Sequence, residues 1–119
     1  MRPKRGNPTI QIPPLYYNPV DHAGWIYIMA NKPNGIIYIG QTTDLKRRIF
    51  EHKQGKIPGF SQQHGCHTLV YFEGFPKITE SIERETTMKG WHRKWKIRRI
   101  LETNLTWRDL STEICAISD

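Results

Sequence analysis

Two runs of β-branched and aromatic residues, Trp25-Ile26-Tyr27-Ile28-Met29 and Ile36-Ile37-Tyr38-Ile39, flank the polar stretch Asn31-Lys32-Pro33-Asn34-Gly35. Runs of this make-up favour strands. Asn-Gly supplies the positive φ of a hairpin turn, so residues 25–40 are predicted to form a β-hairpin. With a period of two, Ile26 and Ile28 share one face and Trp25, Tyr27 and Met29 the other. Both faces are apolar, so the sheet is expected to be covered on each side.

The period then changes to that of a helix. Over residues 43–54, Leu45 and Ile49 stand four apart and face a core, whereas Asp44, Arg48 and His52 share a second face. Thr43 is the expected N-cap, Asp44 suits the first turn, and Gly55 is the expected stop. Residues 55–67 read as a loop and His67–Phe72 as a third strand. Pro76 breaks the chain, and Thr79 is expected to cap a helix running to about Lys89. Gly90 ends or kinks it, and residues 91–101 form another amphipathic helix. Trp107-Arg108-Asp109-Leu110 is expected to fold back on the domain. The order β-β-α-β-α-α predicts an α+β fold: a small three-stranded antiparallel sheet flanked by helices. Residues 1–21 hold five of the eight prolines and read as a basic, Pro-rich arm. Residues 22–119 read as the folded domain.

Composition narrows the class. The chain has 119 residues, 37% of them hydrophobic, which suits one domain with a modest core. It has no apolar run long enough to span a membrane. The basic start Met1-Arg2-Pro3-Lys4-Arg5 is followed by no apolar segment, so no secretory leader is expected. With two cysteines, Cys66 and Cys115, a reducing cytoplasm is the expected location. His64-Gly65-Cys66-His67 resembles a metal clip, but Cys115 is too remote to complete a four-ligand zinc site.

The net charge is +7, and it is unevenly placed. Arg2, Lys4 and Arg5 stand without an acid. Over residues 84–99, Arg84, Lys89, Arg93, Lys94, Lys96, Arg98 and Arg99 face only Glu85. Such a stripe is the footprint of phosphate binding or, alternatively, a solvated helix face. Lys46, Arg47, Lys89, Arg93, Lys94 and Lys96 are the candidate nucleic-acid contacts, and Trp91 is the tryptophan that would stack on a base.

Within this frame stands a spaced set. Ten residues separate Tyr27 from Tyr38. Arg48 lies ten after Tyr38, His52 one helical turn further, and Glu85 in the later Glu83-Arg84-Glu85. The phrases Trp25-Ile26-Tyr27, Tyr38-Ile39-Gly40-Gln41-Thr42-Thr43-Asp44-Leu45-Lys46-Arg47-Arg48, Glu51-His52-Lys53 and Arg84-Glu85 before Met88-Lys89-Gly90-Trp91 resemble the GIY-YIG nuclease superfamily. They resemble most its short stand-alone bacterial members, similar to the N-terminal incision domain of the excision-repair nuclease. Three departures are visible. Trp25 takes the first motif's glycine position, Gln41 stands where some members have Lys, and no Asn lies in residues 95–99, Asn104 being the nearest.

The resemblance implies a metal-dependent endonuclease that hydrolyses DNA phosphodiesters in repair or recombination. The alternative is a non-catalytic nucleic-acid-binding module that retains the fold. The implied catalytic set is Tyr27, Tyr38, Arg48, His52 and Glu85. Glu85 is the one acid placed to hold metal, which fits a single Mg²⁺ or Mn²⁺ that keeps most of its waters. Arg48 offers a planar fork to phosphate. In this family one tyrosine acts as general base, here Tyr27 with Tyr38 in support. That role requires cationic neighbours to lower its pKa from about 10. His52 would donate a hydrogen bond or shuttle a proton. The expected partner is DNA, with a protein partner supplying specificity; no membrane and no small-molecule cofactor are expected.

Overall fold

The computed structural model describes residues 17–117. Among them, β1 (Gly24–Ala30) and β2 (Ile37–Thr42) are followed by α1 (Leu45–Lys53) and the short α2 (Phe60–Gln63). β3 (Thr68–Phe75), α3 (Ile78–Lys89), α4 (Arg93–Thr103) and α5 (Ser111–Ile117) complete the order. The three strands form one antiparallel sheet in the order β2-β1-β3. This is the α+β architecture expected, with α2 and α5 as additions. No helix of the described residues is long and apolar enough to cross a membrane.

The central strand β1 is buried along its whole length, and its alternation divides the core. Trp25, Tyr27 and Met29 pack with Leu45 and Ile49 of α1, Leu69 and Phe72 of β3, Leu110 just before α5 and Ile114 within it. Ile26, Ile28 and Ala30 pack with Val70, Tyr71, Met88 of α3, Ile100 of α4 and Trp107. Each such fully buried aliphatic side chain contributes roughly 1.5–3 kcal/mol. A bulge in the β1–β3 register at Ile28/Met29 lets the neighbours Val70 and Tyr71 join one cluster while Leu69 and Phe72 stay in the other.

Local chemistry shifts several boundaries. In the hairpin turn it is Asn34, at φ +55°, that takes the left-handed conformation. Gly35 is needed for space, because a Cβ there would lie 2.2 Å from Asn31 Oδ1. That same oxygen accepts from the Ile36 N–H at 2.8 Å. Asp44, not Thr43, caps α1, its carboxylate accepting from the Arg47 N–H at 3.2 Å. Gly55, at φ +71°, follows the helix end. α3 starts one residue before Thr79, after Lys77, which makes no side-chain cap. α4 begins and ends two residues later than expected, because Asn104 ends it. The segment read as a loop contains α2, anchored where the Cys66 N–H donates to Ser61 O at 2.8 Å. The tail docks through the Leu110 N–H, which donates to Leu69 O at 2.8 Å.

Of the expected arm, residues 1–16 lie outside the described residues. Tyr17 is buried, its ring centroid 5.0 Å from that of Trp25.

Candidate active site

Tyr27 sits at the middle of the central strand, directly opposite Gly40 of β2. A Cβ on Gly40 would lie 2.3 Å from the Tyr27 hydroxyl oxygen and 2.4 Å from its Cζ, so the phenol lies across that glycine. Tyr38 is two residues earlier on β2 and on the same face, with ring centroids 6.4 Å apart. α1 packs Leu45 and Ile49 inward, and the same helix carries His52 into the core at 2% exposure. His52 Nε2 lies 2.9 Å from the Tyr27 hydroxyl. Its ring stands 5.3 Å from Tyr27 and 5.5 Å from Tyr38. On its other side, Nδ1 lies 3.3 Å from Ser61 Oγ.

Arg48, one turn before His52, is half-buried. Among the described residues its guanidinium makes no hydrogen bond or ion pair, whereas its neighbour Arg47 is exposed and pairs with Glu51 at 3.4 Å. Glu85 lies on α3 and pairs with Lys89 at 3.0 Å. Its charge is felt at Tyr27. Burial first, then Tyr38, Glu85 and Glu51, raise that phenol well above its ordinary 10, and Arg48 pulls the other way. Arg48 lowers the Tyr27 pKa as expected, but burial outweighs it, so this arginine alone does not bring the phenol below its ordinary value. Burial, followed by Arg48 and His67, lowers His52 from 6.5 to about 4, so His52 is neutral at pH 7.

The described residues contain no group of three His, Cys, Asp or Glu side chains able to hold a metal. That donor set fits neither zinc nor a multi-carboxylate cage. The lone Glu85 carboxylate does fit a hard divalent ion that keeps most of its water. The clip at residues 64–67 is used otherwise: Cys66 is buried with Sγ on Ile36 O, and His67 Nδ1 donates to His52 O at 3.0 Å.

The basic stripe is largely tied to protein. Arg84 pairs with Glu73 at 3.0 Å, Arg99 with Glu73 and Glu102, and Arg98 with Glu102. Arg93 donates to the carbonyls of Asn34 and Gly35, which pins the hairpin turn to α4. Lys96 donates to Lys89 O. Lys94 is exposed, and Lys46 lines a cavity of about 420 Å³ between α1 and α5 with Arg47, Phe50 and Lys53. Trp91 is packed against the core under Arg99. Trp95, 47% exposed, is instead the open tryptophan. Asn104 is structural, donating to the carbonyls of Val70 and Arg108. Gln41 donates to Ser81 Oγ at 3.0 Å, joining β2 to α3.

Ser61 is the residue that sequence reasoning missed. It touches His52 from nine positions away across a loop, and no local pattern marks it.

A family model described as the GIY-YIG catalytic domain matches residues 23–98, a span that includes both tyrosines, Arg48, His52 and Glu85. A UPF0213 protein of Staphylococcus haemolyticus is 33% identical over 78 residues, 66% of this chain and 94% of that one. A UPF0213 protein of Clostridium perfringens is 30% identical over 90 residues, 76% of this chain and 96% of that one. The solution NMR structure of a UPF0213 protein from Bacillus halodurans is similar at 32% identity, covers 63% of this chain and 79% of that one, and has a TM-score of 0.40.

Proposed function

This chain belongs to the GIY-YIG catalytic-domain family, and from that premise we propose that it is a divalent-metal-dependent endonuclease hydrolysing DNA phosphodiester bonds, with repair or recombination intermediates as substrates. The observation that carries the reading is the unused guanidinium of Arg48 beside the Tyr27–Tyr38–His52 cluster. A half-buried arginine with no acceptor among the described residues offers its donors to a phosphate.

In this reading Arg48 binds the phosphate being attacked and takes up charge as it develops. Glu85, whose Oε2 pairs with Lys89, would hold one Mg²⁺ or Mn²⁺, which when bound would supply charge neutralisation at the phosphate and a more acidic water. Tyr27 is the base, and Tyr38 orients the attacking water. Because burial keeps Tyr27 protonated, only a small fraction is phenolate at neutral pH. The cleavage rate therefore rises with pH, about tenfold per unit, up to the phenol's pKa.

The test is incubation of purified protein with linear, nicked and branched DNA and Mg²⁺ or Mn²⁺. Cleavage is expected to fall by about 10²–10³ in Arg48→Ala and Glu85→Ala. Wild-type cleavage no greater than that of either variant refutes the reading and leaves a binding module.

A further inference from the structure

We propose that the groove between the β1–β2 turn and α4 binds an unpaired stretch of a DNA strand, with Trp95 as the surface on which one of its bases stacks. The site rests on the nuclease reading for its class of polyanion. It adds that the DNA this protein holds has unpaired bases.

Asn34, Arg93, Lys94, Ile97, Arg98 and Leu101 line this groove of about 500 Å³. The last four follow one another at the spacing of a single helix face, so α4 presents two aliphatic side chains among cations. The lining holds three cations and no carboxylate. Arg93 is fixed by the carbonyls of Asn34 and Gly35, which hold it without cancelling its charge. Lys94 has no acid partner among the described residues. Arg98 meets Glu102 at 3.7 Å with its side chain 55% exposed, and such exposed pairs hold weakly. The cavity between α1 and α5 is different: Asp44 lines it, Arg47 pairs with Glu51 and Lys53 with Asp109. The groove beside α4 is thus the better anion site.

The indole selects the kind of anion. Trp25 and Trp107 are buried and Trp91 packs against the core, but Trp95 is 47% exposed. Arg98 Cζ lies 5.5 Å from its ring centroid, so Arg98 belongs both to the groove and to the indole. Single strands are held by this combination: bases stack on an aromatic face while cations follow the phosphates. In a duplex the faces of each base are covered by its neighbours, so an unpaired base is what can lie on Trp95. An acidic peptide would satisfy the cations and leave the indole unused. α4 packs on the sheet face of Ile26 and Ile28, opposite that of Tyr27. The groove is therefore an accessory contact, and Trp95 is not a catalytic residue.

Fluorescence anisotropy of the full chain in EDTA, with a labelled oligothymidylate of about 12 nucleotides and a duplex of equal length, tests the site. Trp95→Ala is expected to weaken binding of the single strand about tenfold or more and to leave duplex binding nearly unchanged. Trp95→Phe, which keeps an aromatic face, is expected to restore most of it. In ¹H–¹⁵N spectra the Trp95 indole signal is expected to shift with the oligothymidylate and not with the duplex. An Ala variant that binds the single strand like the wild type overturns the proposal, as does an equal loss for both DNAs. Displacement of the oligothymidylate by polyglutamate at equal charge concentration also overturns it, in favour of an acidic protein segment. Because binding is measured without metal, a wild type that binds the single strand and never cleaves refutes the nuclease reading alone. One that cleaves and does not bind it refutes this site alone.

Discussion

His52 makes the fold sensitive to acid. Its pKa is 6.5 in the unfolded chain and about 4 in the folded one, with burial as the main cause. Between those values the unfolded chain binds a proton that the folded chain refuses, so stability rises with pH across that window. Above about pH 6.5 both states are neutral and no more is gained; below about pH 4 the loss is complete. Urea unfolding is expected to show the wild type about 2–3 kcal/mol less stable at pH 4.5 than at pH 7 through this group. His52→Gln should lose clearly less, and an equal fall in both proteins would refute the assignment. At Gly40 the same neighbourhood makes a geometric prediction. In Gly40→Ala the methyl would stand 2.3 Å from the Tyr27 oxygen, so the phenol must turn away from His52. Cleavage is expected to fall about 100-fold, while stability falls by only about 1–3 kcal/mol. Full activity in this variant would show that the placement of Tyr27 is not critical.

Among the elements, the β1–β3 pair explains how a tryptophan occupies the glycine position of the first motif. Trp25 is paired with Gly74 across the strands, and a Cβ on Gly74 would lie 2.7 Å from the indole and 2.6 Å from the His22 ring. The missing side chain on β3 makes room for the extra one on β1. Gly74→Ala is expected to cost about 1–3 kcal/mol and lower Tm by roughly 5–10 °C in thermal melts, whereas an unchanged Tm would mean that the indole has other room. The division of the core was legible because strand alternation is local: Ile26 and Ile28 against Trp25, Tyr27 and Met29 follows from period two alone. The nearness of Tyr27, Tyr38 and His52 needs only that alternation, a hairpin register and one helix face. α2 and α5, with four and seven residues, are too short to show a helical period against their loops. Ser61 was illegible for the same reason, since its contact depends on how the loop after α1 closes.

At the scale of the molecule, charge along the chain and charge available to DNA are different quantities. A window over residues 84–99 shows one acid, Glu85. The fold brings Glu73 from β3 and Glu102 from the end of α4 against Arg84, Arg98 and Arg99, pairs that no linear count reveals. Among the described residues, the candidate cations left without an acid include Lys46, Arg48 and Lys94. If about four such groups meet phosphates, affinity for duplex DNA should fall roughly 100-fold between 50 and 200 mM salt, because each neutralised phosphate releases counterions. Fluorescence anisotropy against log salt concentration measures that slope. Replacing Lys46 and Lys94 together by Gln is expected to flatten it by about two units. Arg84→Gln should leave the slope unchanged while weakening the joint between α3 and β3. An Arg84→Gln slope as shallow as that of the double variant would mean that Glu73 yields its arginine to DNA, and that the whole stripe is recruited on binding.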